Sequence, residues 1–171
     1  MGEYPFFKGS LTTPDQKFKY SIINQDPFFF DGESVLFNLG LNSIEELSHE
    51  YIKALSLEDF FQSFQYDLNK KLGVEGIWPS RGQRMRLAML RELHSNSEVM
   101  LIDEPTAGLE ECLARNVLRF LKQLSREKII LVCEHNPIVG AEFEPNQIID
   151  LKDHTSVMTT PRNIENELVT N

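Results

Sequence analysis

Cationic blocks are missing from this 171-residue chain, where 17 Lys and Arg stand against 26 Asp and Glu and give a formal net charge of −9. Affinity for nucleic-acid phosphates comes from clustered cations that displace counterions, so this balance argues against a nucleic-acid partner. Cysteine is scarce as well, with Cys112 and Cys133 alone. Two cysteines make no disulfide framework, which fits a reducing cytosol; both are expected as small apolar fillers, one in a helix and one in a buried strand. No segment approaches the roughly 18 consecutive apolar residues of a membrane span, and no basic N-terminal stretch leads into an apolar run. The expectation is a soluble cytoplasmic chain without a classical export signal, peripheral to a membrane only through a partner. Internal repeats and low-complexity stretches are absent too.

What is present has the make-up of a folded domain. The chain is 41% hydrophobic and 25% charged, ordinary globular values, and its length suits one domain. Lys19 to Ile23 alternates and ends on β-branched residues, predicting a short strand that leads to the loop Asn24-Gln25-Asp26-Pro27. From Ser43 the period becomes helical, with caps expected at Ser43 (Glu46 three residues on) and Ser56 (Asp59 three residues on). Ile44, Leu47, Tyr51 and Leu55, then Phe60, Phe61 and Phe64, form the apolar faces of two helices. After a turn at Gly73 to Gly76, Met85, Met89 and Leu93 make a core stripe, and Arg84, Arg86 and Arg91 read as a solvated face.

Val99 to Ile102 is a continuous apolar run ending at Asp103-Glu104, as expected of a strand buried on both faces of a parallel sheet. Leu109, Leu113, Val117, Phe120, Leu121 and Leu124 keep helical spacing before a second buried strand at Ile129 to Cys133. Strand, helix and strand at this spacing make a βαβ unit. A further strand is expected over Gln147 to Leu151, followed by a polar tail over 152–171.

Ligands of parallel sheets sit at the carboxyl ends of the strands. Gln25 falls there after the first strand, Asp103 and Glu104 after the second, and His135 after the third. Two adjacent carboxylates are costly to bury unaided, so a metal ion or bound proton donor is implied. Ser80 with the amides of Gly82 and Gln83 opens a helix, where free N–H groups and the helix dipole favour a phosphate. Taken singly, each residue also has a plainer reading as a loop amide, a strand end or a helix cap.

In this order the residues resemble the nucleotide-binding domain of ATP-binding cassette (ABC) ATPases, exporter-like. Asn24-Gln25-Asp26-Pro27-Phe28 resembles the Q-loop and Pro79-Ser80-Arg81-Gly82-Gln83 the signature motif; Val99 to Asp103 resembles Walker B, Ala107-Gly108-Leu109-Glu110 the D-loop, and His135 the switch histidine. The resemblance spans about 2–151. It implies an α/β fold, a partial P-loop NTPase with a mostly parallel sheet, a helical subdomain and signature helix at about 33–93, and a Walker B and switch part at about 97–151. It implies ATP and Mg²⁺ as cofactors, with Asp103 holding Mg²⁺ directly or through water and Gln25 sensing it through water. Glu104 becomes the general base and His135 its catalytic companion, while Gln25, Ser80, Arg81, Gly82, Gln83 and Gly108 contact nucleotide, some across a dimer with a second ABC domain. A transmembrane transporter subunit or domain would dock on the stretch between Gln25 and Ser80. That stretch is too short for the coiled coil of DNA-repair relatives.

One part of the family pattern is missing. The phosphate cradle Gly-x-x-x-x-Gly-Lys-Ser/Thr needs a Gly-Lys pair, and none of the nine glycines precedes Lys. Lys8-Gly9-Ser10 is in the wrong order and reads as a turn, so the chain is expected to start downstream of the Walker A helix. The resulting expectation is a transporter ATPase domain coupling ATP hydrolysis to transport, deficient in ATP binding as this chain alone. The alternative is a non-catalytic ABC-like module that docks on a membrane protein or a complete ATPase. Arg81, in place of the first signature Gly, is open to three readings: drift, crowding of the backbone approach, or a cation for the partner's phosphate.

Overall fold

The computed structural model describes residues 18–73, 76–135, 138–150 and 155–158. The expected Lys8-Gly9-Ser10 turn and most of the 152–171 stretch lie outside them. Strands β1 (Tyr20–Ile23), β2 (Val99–Asp103) and β3 (Ile129–Cys133) form a parallel sheet in that spatial order. The register pairs Ile23 with Ile102 and Asp103 with Cys133, so the three strands end side by side. Between β1 and β2 lie α1 (Val35–Asn38), a 3₁₀ turn (Ile44–Glu46), α2 (His49–Ala54), α3 (Glu58–Gln62) and α4 (Arg81–His94). Helix α5 (Glu111–Leu124) joins β2 to β3, and α6 (Ile138–Phe143) precedes an antiparallel pair, β4 (Gln147–Asp150) with β5 (Thr155–Met158). The last strand falls in the stretch expected to be a tail.

Local chemistry explains the longest helix of the first half. Ser80 is extended, its hydroxyl accepts the Gln83 amide at 3.2 Å, and the Gln83 side chain returns to accept the Ser80 amide at 2.8 Å. This capping box satisfies two end groups and starts α4 three residues before the apolar period suggests. Met85, Met89 and Leu93 then enter one hydrophobic cluster with Phe60, Phe61 and Phe64, with Met100 and Ile102 of β2, and with Val117, Leu121 and Leu124 of α5.

Two expected caps are corrected. Ser43 makes no capping bond, because Glu46 turns back onto the Asn42 amide at 3.1 Å and only a 3₁₀ turn forms; the cap of the next helix is Ser48, which accepts from the Tyr51 amide. Leu57 rather than Ser56 precedes α3, and Ser56 sits at φ +50°. Ile44, expected in the core, is exposed.

Among the described residues the sheet is covered on one face. Ser21 and Ile23 of β1 and Met100 and Ile102 of β2 are buried, while Tyr20, Ile22, Ile129 and Leu131 are each about half exposed on the opposite face. Strands β2 and β3 were expected to be buried on both faces; among the described residues, α4 and α5 pack in one cluster on one side only. Cys133 therefore lies exposed, and Cys112, on the outer side of α5, is exposed too, which corrects their reading as core fillers.

Arg86 is also corrected. It is buried, not solvated, and its guanidinium donates to the carbonyls of Gly82 (3.0 Å), Leu55 (2.9 Å) and Ser56. Burial pulls its pKa down. The side chain ties α4 to the end of α2 by donating to the Leu55 and Ser56 carbonyls, which lie beyond the helix. Arg86→Ala is expected to lower unfolding free energy by roughly 2–4 kcal/mol, from unsatisfied carbonyls plus a cavity. Urea unfolding followed by circular dichroism checks this, and a loss below about 0.5 kcal/mol would contradict the assigned role.

Candidate functional site

The side-by-side strand ends bring three residues into contact. The Gln25 side-chain amide donates to one carboxylate oxygen of Glu104. The other oxygen lies 3.2 Å from Nδ1 of His135, which donates there when it carries the proton. Glu104 thus bridges the loops after β1 and β3.

Its backbone explains how. Glu104 is left-handed at φ +50°, a conformation costing a non-glycine residue about 1 kcal/mol. Two bonds hold it there: its amide donates to the Cys133 carbonyl at 2.8 Å, and its carbonyl accepts the Ala107 amide at 3.0 Å. The turn Glu104-Pro105-Thr106-Ala107 follows directly from the end of β2.

Asp103 ends β2 and is exposed, whereas the Glu104 side chain is 23% exposed. The two carboxylates are therefore not buried together, and Gln25 and His135 already meet Glu104. Burial of the pair is corrected accordingly, while the proton donor expected beside them is present in the Gln25 side-chain amide. Among the described residues no group of three or more His, Cys, Asp or Glu is arranged to hold a metal ion.

Glu134 is a member of this region that the sequence reading passed over. Its side chain is nearly buried, accepts from the Thr106 hydroxyl at 2.6 Å and amide at 3.3 Å, and accepts the His135 amide at 3.0 Å. It ties the turn after Glu104 to the loop of His135. A charged residue interrupting an apolar strand end beside His135 was the available signal.

Ser80, Arg81, Gly82, Gln83 and Gly108 form a second group. A Cβ on Gly82 would stand 2.7 Å from Leu109 Cδ2 and 3.2 Å from the Gly108 carbonyl oxygen, so a side chain there would displace Leu109 and crowd the Gly108 carbonyl where α4 meets that loop. Gly108 itself is left-handed at φ +73°. Arg81 is exposed, and its Cδ would stand 3.9 Å from a Cβ placed on Gly108. Ser80 and Gln83 spend their side chains on each other in the capping box.

The two groups are connected through α4. Arg84 pairs with Asp26 at 2.9 Å, next to Gln25. Two turns further along the helix, Arg91 donates to the Phe28 carbonyl at 3.0 Å and lies 5.1 Å above the Phe29 ring. Neither arginine belongs to a solvated face, as the spacing had suggested.

Comparison with known proteins bears on the family of the chain rather than on these contacts. A family model described as ABC transporter matches residues 7–107. The chain is 30% identical over 148 residues to an ATP-dependent lipid A-core flippase of Bordetella avium, an overlap of 81% of this chain and 25% of that protein. It is 31% identical over 122 residues to the lactococcin-G-processing and transport ATP-binding protein LagD of Lactococcus lactis, covering 70% of this chain and 17% of that protein. Over 174 residues it is 28% identical to the ATP-binding cassette transporter abc1 of Schizosaccharomyces pombe, 99% of this chain and 12% of that protein. The chain spans about a quarter or less of the length of these relatives.

Cys133 reports on the charge of the site. Although the residue is exposed overall, partial burial of its thiol raises its pKa, and Asp103, Glu104 and Glu134 raise it further. Because the thiolate is the reactive form, Asp103→Asn is expected to speed alkylation of Cys133 at pH 8 by about two- to fivefold. The rate is read by mass spectrometry with Cys112 as the internal reference. An unchanged ratio of the two rates would contradict the arrangement.

Proposed function

Because the chain belongs to the ABC transporter family, we propose that it is part of a transporter's ATPase domain, in which ATP hydrolysis drives movement of a substrate across a membrane. The observation that carries this reading is the contact of Gln25 and His135 with the one carboxylate of Glu104. A structural turn has no use for an acid, an amide and an imidazole converging from three separate strand ends. Hydrolysis of a phosphoanhydride does.

The residues fit Mg²⁺ chemically, since Asp103 is an exposed carboxylate and Gln25 a carbonyl donor, both hard oxygen ligands. In this reading Asp103 would hold the ion directly or through water, and Gln25 would reach it through water after leaving Glu104. Bound Mg²⁺ supplies neutralisation of phosphate charge. Glu104, once free of Gln25, accepts a proton from the attacking water at the oxygen it now presents to Gln25. His135 holds the other oxygen and orients the carboxylate. Ser80 and the first-turn amides of α4, with Gly108 behind them, offer a helix N-terminus to phosphates held by a second ABC domain that has the cradle.

The phosphate cradle does not fit within this chain. With no Gly-Lys pair in its 171 residues, the convergent amides and the Lys charge must come from elsewhere. The chain alone is therefore proposed to bind ATP poorly. No helix among the described residues is long and apolar enough to cross a membrane. A transmembrane transporter subunit or domain supplies the membrane-spanning part in this reading. In this reading the chain works on the cytoplasmic side, against that partner and a second ABC domain.

Two measurements test the proposal. Calorimetric titration of Mg-ATP into the chain alone should show no binding tighter than about 1 mM, about 4 kcal/mol in free energy, and micromolar binding would overturn the deficiency. In a transporter or complex that supplies the cradle, Glu104→Gln should lower kcat by about 10²-fold or more. Unchanged turnover would favour the non-catalytic docking module instead.

A further inference from the structure

Three consecutive residues at the end of β3 close on the turn after β2. The Cys133 carbonyl accepts the Glu104 amide at 2.8 Å, the Glu134 carboxylate accepts the Thr106 hydroxyl at 2.6 Å, and the His135 ring meets the Glu104 carboxylate at 3.2 Å. Glu134 is the anomaly among them. Its side chain is 4% exposed and lies beside Thr106, itself buried, although burying a carboxylate is costly unless donors surround it. The donors it meets explain the choice of an acid. One oxygen takes the Thr106 hydroxyl and amide while the other takes the His135 amide at 3.0 Å, so both oxygens must accept. A carboxamide has one accepting oxygen and would turn its NH₂ against the remaining donor.

The same carboxylate reaches the imidazole. Its Oε1 lies 3.9 Å from Nδ1 of His135, and Glu104 Oε1 lies 3.2 Å from the same nitrogen. A neutral imidazole has one N–H and one bare nitrogen. A bare Nδ1 would set its lone pair against two carboxylate oxygens, whereas Nδ1–H donates to Glu104 and is attracted by Glu134. Nε2 is then left without a proton, on a side chain that is 82% exposed.

We propose that Glu134 is a positioning residue for His135, holding the ring against Glu104 as the Nδ1–H tautomer and leaving Nε2 as a hydrogen-bond acceptor. The tautomer stands on these contacts alone, and its use rests on the ATPase reading above. In that reaction a neutral His135 accepts a hydrogen bond from a water or a hydroxyl at Nε2, and it has no proton there to give a phosphate oxygen. Glu134, being buried, acts through the His135 backbone and ring. Through Thr106 it joins the turn that carries Glu104 to the same unit.

Nitrogen NMR of the imidazole rings in the chain tests this, since protonated and bare ring nitrogens resonate far apart. His135 is assigned by the loss of its signals in His135→Gln and read in the neutral limit of a pH series. The Nδ1–H form should exceed the Nε2–H form by about threefold or more, and Glu134→Gln should reduce that ratio by about threefold or more. His94, whose Nδ1 lies 2.6 Å from the Leu90 carbonyl, should stay Nδ1–H throughout and reports that the fold is kept. If Glu134→Gln loses that signature by unfolding, Thr106→Val takes its place, with a shift of His135 in the same direction expected. An Nε2–H majority in the unsubstituted chain would overturn the tautomer. An unchanged ratio in the folded variant, Glu134→Gln or its replacement, would overturn the role of Glu134. Neither result moves the Glu104→Gln turnover test, so the ATPase reading stands or falls separately.

Discussion

Glu104 presents one carboxylate oxygen to Gln25 and the other to His135, and this double contact is possible only because three parallel strands end level with one another. A one-residue slip of β1 or β3 would turn those side chains to the wrong face. The left-handed backbone at Glu104 completes the arrangement, fastened to β3 by the Cys133 carbonyl and to its own turn by Ala107. Glu134 fastens the same turn to the loop of His135 a second time. Strain at one residue is thus held by several bonds, as expected where geometry serves chemistry.

Helix α4 carries that constraint to the rest of the molecule. Its apolar side fills the core with Met85, Met89 and Leu93, and three of its four arginines reach three different segments. Arg84 takes Asp26, Arg86 takes the end of α2, and Arg91 takes the backbone at Phe28. Asp26 beside Gln25, the end of α2 and the backbone at Phe28 are therefore tied to one helix by direct contacts.

Much of this was legible in the sequence, for identifiable reasons. Strand ends are marked by a change of period, so Gln25, Asp103, Glu104 and His135 could be placed together before any coordinates. Ser80 with Gln83 has the spacing of a reciprocal cap and forms one. Ser43 and Ser56 have similar spacing and do not, because Asn42 captures Glu46 and Ser56 is drawn into the Arg86 contact. Periodicity assigns arginines to the outside, yet it cannot see carbonyls from α2 waiting at the same depth. It also cannot tell a strand covered on two faces from one covered on a single face, since Ile129 and Leu131 are apolar either way. The exposure of Cys133 follows from that same ambiguity, and β5 lay in a stretch whose polarity hid its pairing with β4.

The central claim is that Glu104, rather than its neighbour Asp103, joins the loops after β1 and β3. The side-chain amide resonances of Gln25, assigned by their loss in Gln25→Glu, test it most directly in a ¹H–¹⁵N spectrum of the chain. The account predicts that Glu104→Gln moves them while Asp103→Asn leaves them in place. Gln25 resonances unmoved by Glu104→Gln would contradict it.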